Sequence, residues 1–226
     1  MNRTVRELLE RNAEHAATFH DRLDGHQDGQ RPDVVSVCCS DSRVLGDHVW
    51  GNDEPGRIFT CSNIGNRVVQ RTDDGLVVSG DVLYPLEHTG TDTAVVVGHT
   101  GCGAVTATYD YLTDGLSEPP GIEHCIELLA PHLEAGVERL PEELDREAAI
   151  DRLVEYNVDR QVDSLLDSED VPDGVDVLGV VYDLHGTYSE RRGEVHVVNV
   201  DGETDVDTLR DAHPDVDSRI ARLWTY

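Results

Sequence analysis

The sequence contains no lysine, since all 18 of its basic residues are arginines, against 46 aspartates and glutamates. The formal net charge is therefore −28 at pH 7. Nucleic-acid binding needs basic patches, and anionic membranes attract clusters of Lys and Arg, so this composition argues against both as partners. Because the acidic residues repel one another at low ionic strength, the folded chain needs concentrated salt to screen them. We therefore expect a cytoplasmic protein of a halophile.

Long apolar runs and an even set of cysteines are also missing. No apolar stretch approaches the ~20 residues that a membrane-spanning helix requires, and the first residues carry no apolar signal-peptide core. The five cysteines are an odd number, which favours reduced thiols in the cytoplasm. A length of 226 residues predicts one domain, 1–226, in which 204–226 is an acid-rich C-terminal extension.

Strand-like and helical segments alternate along the chain. Apolar runs predict strands at 33–39, 57–62, 93–98, 175–182 and 194–200. Apolar residues at helical spacing predict helices near the N terminus, from 122 onward and from 150 onward, with a loop at 113–121. Thr4 and Glu7 have the spacing of a capping box for the first helix. The alternation predicts a single α/β domain in which helices flank a mainly parallel central sheet.

Cysteine and histidine residues follow two of the predicted strands. Cys39 comes at the end of the first strand, and His99 and Cys102 follow the third. In an open parallel sheet, ligands gather at the carboxyl ends of the strands. Two thiolates and one imidazole bind zinc tetrahedrally and leave a fourth position for water, as catalytic sites do. The sequence therefore predicts one Zn²⁺ per chain, although each cysteine taken alone could be a small buried apolar residue.

The residues around these ligands resemble the β-class carbonic anhydrases. The segment 39–43 matches the family pattern C-x-D-S-R, 99–102 matches H-x-x-C, and the likeness covers roughly residues 1–200. The resemblance implies that Cys39, His99 and Cys102 hold zinc. It also implies that an Asp41–Arg43 dyad orients zinc-bound hydroxide, which hydrates CO2 reversibly to bicarbonate and a proton.

The resemblance further implies a substrate pocket and an assembly. In the plant-type branch of the family, a Gln, a Phe and a Tyr line the CO2 site, partly from the neighbouring subunit. The matching residues here are Gln30, Phe59 and Tyr84, and Gly103, which follows Cys102, is also assigned to substrate binding. A homodimer or a dimer of dimers is implied, with the N-terminal helix packing on a partner subunit.

A bicarbonate-regulated bacterial branch of the family carries a characteristic residue at each of three positions. There, Trp, Arg and Tyr hold an inhibitory anion, and the Asp leaves its Arg to occupy the fourth zinc position. The corresponding residues here are Ser36, Ser62 and Tyr182, so two of the three are absent. We therefore expect Asp41 to stay on Arg43.

Two other functions are compatible with the same motifs. The site could hydrolyse another small heterocumulene, such as carbon disulfide, or the chain could be a catalytically silent zinc-bearing scaffold or redox sensor. The presence of both Asp41 and Arg43 argues against the silent scaffold, which has no need of either residue.

Overall fold

A five-stranded sheet forms the centre of the structure, a computed structural model that describes residues 2–73 and 75–226. The strands in chain order are β1 Val34–Cys39, β2 Ile58–Asn63, β3 Val69–Thr72, β4 Gly75–Val78, β5 Thr93–His99, β6 Asp176–Asp183 and β7 Glu194–Val200. The sheet order is β2-β1-β5-β6-β7, with β7 antiparallel and the other four parallel. The predicted mainly parallel sheet is confirmed. Met1 and Asp74, which the predicted domain includes, lie outside the described residues.

Strands β3 and β4 form a separate antiparallel hairpin that the sequence analysis did not predict. The hairpin is short, and polar residues occupy most of β3, so apolar alternation does not reveal it.

The helices match the predicted segments and add several short ones. They are α1 Arg3–Phe19, α2 Gly46–Val49, α3 Gly80–His88, α4 Gly103–Asp114, α5 Pro120–Arg139, α6 Arg146–Leu166 and α7 Val206–Ala212. The loop predicted at 113–121 is shorter in the structure because α4 continues to Asp114 and α5 begins at Pro120. A proline is tolerated there because the first turn of a helix leaves its N–H groups unpaired. Within the described part of the chain, no helix is long and apolar enough to cross a membrane.

The N-terminal helix α1 lies on the surface. Its cap is Asn2, whose side-chain oxygen accepts a hydrogen bond from the Val5 amide at 2.9 Å, so the predicted capping box at Thr4 is wrong. Asn is at least as good an N-cap as Thr, and the helix starts two residues earlier than predicted, where Asn2 satisfies one of its first amides. No residue of α1 is buried, and Leu8 and Leu9 are exposed. Packing of α1 on a partner subunit stays a prediction.

Helix α6 connects the sheet to the end of the chain. Its buried face runs from Ala149 to Leu165 and packs against β5 and β6. The C-terminal residues return to this helix, where Trp224 is buried and Arg222 pairs with Asp159 at 2.7 Å. The segment predicted as an extension therefore ends against the core.

Candidate metal centre

Cys39, His99 and Cys102 meet at the carboxyl edge of the sheet. Their ligand atoms all lie within 4.8 Å of one another, and all three residues are buried. Cys39 and His99 are the last residues of the neighbouring strands β1 and β5, and Cys102 is the N-cap of α4. The structure thus brings the three predicted ligands together, because parallel strands end at the same edge.

The imidazole of His99 is held in one tautomer. Its Nδ1 lies 3.1 Å from the Thr100 carbonyl, which can only accept, so Nδ1 carries the proton. The other nitrogen, Nε2, is buried and has no hydrogen-bond partner among the described residues. A buried unpaired nitrogen costs free energy, which a metal ion bound to its lone pair would offset. This unpartnered atom is the observation that fits a metal.

The two thiols share a hydrogen bond that favours negative charge on Cys39. Their sulfur atoms lie 4.0 Å apart. The hydrogen bond from Cys102 lowers the pKa of Cys39 well below its usual range. The pKa of Cys102 is raised because it donates that bond and is buried, although the first amides of α4 oppose the rise. Two sulfurs and one imidazole nitrogen suit Zn²⁺, so the residues present fit this ion.

The loop after β2 contributes a hydrogen bond to the first thiolate. The Gly65 amide bonds to Cys39 and lowers its pKa. Gly65 has a φ of +83°, and an added Cβ would lie 2.5 Å from Leu129 Cδ1, so only glycine fits there. Asn157 of α6 donates to the Gly65 carbonyl at 3.2 Å and accepts from Gln161 at 3.2 Å. These buried amides hold the loop against Cys39.

Asp41 and Arg43 form a bidentate pair beside the three ligands. Asp41 Oδ1 accepts from Arg43 Nε at 2.9 Å, and Oδ2 accepts from Nη2 at 2.7 Å. These bonds hold the pKa of Asp41 well below its usual range. Asp41 Oδ2 also lies 3.9 Å from His99 Nε2. An ionised carboxylate therefore stands next to the unpartnered nitrogen.

The predicted pocket residues lie in several elements. The rings of Phe59 on β2 and Tyr84 on α3 are 6.3 Å apart between centroids, with Phe59 half-buried and Tyr84 exposed. Gly103 begins α4, and an added Cβ there would meet nothing within 4 Å. Gln30 is exposed in the segment before β1. The structure thus brings two of the four together.

Ser36 and Ser62, which stand where the bacterial branch has its anion-binding Trp and Arg, bond to neighbouring side chains. Trp50 Nε1 donates to Ser36 Oγ at 3.4 Å, and Ser62 Oγ lies 3.1 Å from Ser40 Oγ. No sequence pattern points to the contact of Trp50 with Ser36, since the two residues lie 14 positions apart.

Comparison with known sequences identifies the family of this site. A family model described as carbonic anhydrase matches residues 34–189. A carbonic anhydrase of Helicobacter pylori strain J99 is 29% identical over 107 residues, which cover 45% of this chain and 47% of that protein. One from Pseudomonas aeruginosa is 31% identical over 138 residues, 60% of each chain. The chain thus spans between about half and three fifths of the length of these relatives.

Solved structures share the fold at lower sequence identity. The β-carbonic anhydrase of Coccomyxa, in complex with acetazolamide, has a TM-score of 0.69 at 23% identity over 95% of this chain and 98% of that one. A tetrameric β-carbonic anhydrase of Sordaria macrospora has a TM-score of 0.69 at 23% identity, and the match covers 88% of this chain and 98% of that one.

Fold and site together define an α/β protein with a cysteine–histidine group that could hold a metal ion at the carboxyl edge of a mainly parallel sheet. Because the family model matches well over half of its residues, the chain belongs to the carbonic anhydrase family, and its fold is that of the β class.

Proposed function

We propose that this protein catalyses the reversible hydration of CO2 to bicarbonate and a proton, with one zinc ion per chain. The observation that carries the proposal is the group of Cys39, His99 and Cys102 within 4.8 Å, beside an arginine-held carboxylate. When bound, zinc would supply a Lewis acid that makes hydroxide available from water near neutral pH. Membership of the carbonic anhydrase family supports this reaction.

The dyad would orient the reacting water. Asp41, kept ionised by Arg43, can accept a hydrogen bond from that water but cannot donate one. Accepting the bond fixes the direction of the remaining lone pairs, which is the contribution that positioning makes to the rate. Because the two cysteine thiolates neutralise the charge of Zn²⁺, we expect activity to rise on the alkaline side.

Four residues are proposed to line the path of CO2: Gln30, Phe59, Tyr84 and Gly103. The contact between the rings of Phe59 and Tyr84 offers an apolar wall, which suits an uncharged substrate. The exposed face of Tyr84 and the exposed position of Gln30 agree with a pocket that a second subunit completes.

The proposed assembly is a homodimer or a dimer of dimers, in the cytoplasm of a halophile. The exposed apolar residues of α1, among them Leu8 and Leu9, support contact with a second copy. The Sordaria macrospora neighbour is described as tetrameric. Five free cysteines agree with a reducing compartment, and the charge of −28 agrees with a saline one.

Stopped-flow CO2 hydration on metal-analysed protein in molar KCl tests the reaction. We expect a rate proportional to zinc content, and loss of that rate when the metal is chelated. Protein with one zinc per chain that does not hydrate CO2 would refute the proposal. Carbon disulfide tested beside CO2 distinguishes the heterocumulene alternative, which requires turnover of carbon disulfide only.

A further inference from the structure

A buried carboxylate holds the turn between His99 and Cys102. Asp151 of α6 is only 8% exposed. Its Oδ1 accepts from the Gly101 amide at 2.8 Å, and its Oδ2 accepts from Thr187 Oγ1 at 3.1 Å. Helix α6 and the segment after β6 are thereby tied to the turn that carries two of the three proposed ligands.

A single peptide group connects this carboxylate to the imidazole. The Thr100 carbonyl accepts from His99 Nδ1 at 3.1 Å, and the N–H of the same amide, that of Gly101, donates to Asp151. Because the peptide group is planar, holding its N–H also fixes the direction of its carbonyl. A bond from the N–H to a carboxylate also polarises the amide and strengthens the carbonyl as an acceptor.

Residues of the segment after β6 pack closely around this peptide. Gly101 has a φ of +64°, and an added Cβ would lie 2.6 Å from His185 Cε1. Thr100 Oγ1 accepts from the Leu184 amide at 2.9 Å and lies 2.8 Å from His185 Nδ1. The segment after β6 therefore packs against the turn on the side where Asp151 bonds.

We infer that Asp151 is a positioning residue of the metal centre, which acts through the Thr100–Gly101 peptide to hold His99 with Nε2 free for the metal. The inference rests on the metal site of the proposed function and goes beyond it, since Asp151 is not itself a member of the ligand group. Metal-ligating histidines generally donate their second nitrogen to a partner that orients the ring and raises its basicity. Here that partner is the Thr100 carbonyl, and Asp151 bonds to the N–H of the same peptide group.

Two measurements that do not depend on turnover test this role: zinc affinity by chelator competition, and the absorption spectrum of the cobalt-substituted protein. In Asp151→Ala, zinc affinity should fall about 10–100-fold, the usual effect of losing such a partner, and the cobalt bands should shift or weaken. In Asp151→Asn the loss should be smaller but measurable, because the amide oxygen still accepts from Gly101 without a full charge. The Asn variant decides the question if the Ala variant does not fold.

Asp159→Asn is the matched control. Asp159 is buried on the same helix but accepts from Arg222 and Asn199, away from the turn. This variant should lower thermal stability and leave zinc affinity and the cobalt spectrum unchanged. The inference would be overturned if Asp151→Asn kept the wild-type zinc affinity. It would also be overturned if Asp159→Asn lost as much zinc affinity as Asp151→Asn. Wild-type protein that binds zinc without hydrating CO2 would refute the proposed function alone.

Discussion

At the residue scale, two adjacent cysteines of β1 have different environments. Cys39 packs in the core cluster that contains Cys102, whereas Cys38 packs in a second cluster with Val44 and Val95. This separation follows from the alternation of side chains along a strand. Burial raises the pKa of Cys38, but at Cys39 the hydrogen bond from Cys102 outweighs burial. One is therefore an inert thiol and the other a proposed ligand.

Zinc content should distinguish these thiols. We expect Cys39→Ser and Cys102→Ser to lose most of the metal, because a serine hydroxyl is a much poorer zinc ligand than a thiolate. Cys38→Ser and Cys125→Ser should retain about one zinc per chain. The measurement is metal analysis of purified protein after dialysis. Equal zinc in all four variants would contradict the ligand assignment.

The pH dependence of activity should follow a single ionisation. Arg43 depresses the pKa of Asp41 in the folded protein. The stabilisation from this pair is therefore fully present above the unfolded-state pKa of about 4. It is lost only as the pH falls through the lower pKa of Asp41 in the folded state. Asp41 therefore does not titrate in the assay range. The logarithm of the rate should then rise with pH at a slope of about one, as a single ionisation requires. The test is a set of pH–rate profiles at several bicarbonate concentrations and constant ionic strength. A cooperative loss of activity that moves with bicarbonate would show that Asp41 leaves Arg43 despite Ser36 and Ser62.

At the scale of elements, α6 contacts both the loops of the candidate metal centre and the C-terminal segment. Asn157 and Gln161, one helical turn apart, bond to each other, and Asn157 donates to the loop after β2. Another face presents two buried carboxylates to the chain end: Glu155 accepts from the amides of Leu223 and Trp224, and Asp159 accepts from Arg222. The same helix thus stabilises the site and the terminal residues.

Removing the cation of this C-terminal contact should destabilise the fold. Arg222 and Asp159 have side-chain exposures of 5% and 1%, so Arg222→Ala leaves a buried carboxylate without its cation. Breaking a buried pair in this way costs about 3–5 kcal/mol. Arg191→Ala is the control, because its side chain is 84% exposed and its ion pair is worth at most about 1 kcal/mol. Denaturant unfolding in molar salt measures both, and equal midpoints would contradict a stabilising role for Arg222.

At the scale of the whole molecule, charge and assembly are connected. A chain of net charge −28 repels a second copy as well as itself, unless salt screens the surface. At 1 M salt the Debye length is about 3 Å, so exposed charges repel one another mainly when they are in close contact. The exposed apolar face of α1 can then contact another subunit.

Lowering the salt concentration should therefore dissociate or unfold the protein. We expect circular dichroism and sedimentation to change between molar and millimolar KCl, with activity falling in parallel. The physical reason is unscreened repulsion among 46 acidic residues offset by only 18 arginines. Unchanged spectra, size and activity in dilute buffer would mean that the halophile interpretation is wrong.

Weakening the apolar face of α1 should separate the subunits. In Leu8→Gln/Leu9→Gln, sedimentation in molar KCl should show smaller species with reduced CO2 hydration, because apolar contact area is lost. Glu10→Gln/Glu14→Gln, on the opposite side of the same helix, should keep the wild-type size. A fully active monomer would remove the proposal that subunits share a pocket.

The sequence alone predicted the strands of the central sheet and the three candidate metal ligands. Five apolar runs predicted the five strands of the central sheet because buried strands must be apolar, and the motifs at 39–43 and 99–102 predicted the metal group because parallel strands end at one edge. The surface charge followed directly from composition.

Only the tertiary structure decided which distant residues contact one another. Asp151 lies 50 positions from Gly101, and Arg222 lies 63 positions from Asp159, so no local spacing relates them. The hairpin of β3 and β4 was also seen only in the structure, whereas the Asn2 cap of α1 is a local contact that the capping-box pattern misplaced at Thr4. Hydrogen bonds between remote segments are set by how the helices pack on the sheet, and a pattern within one segment carries no information about that packing.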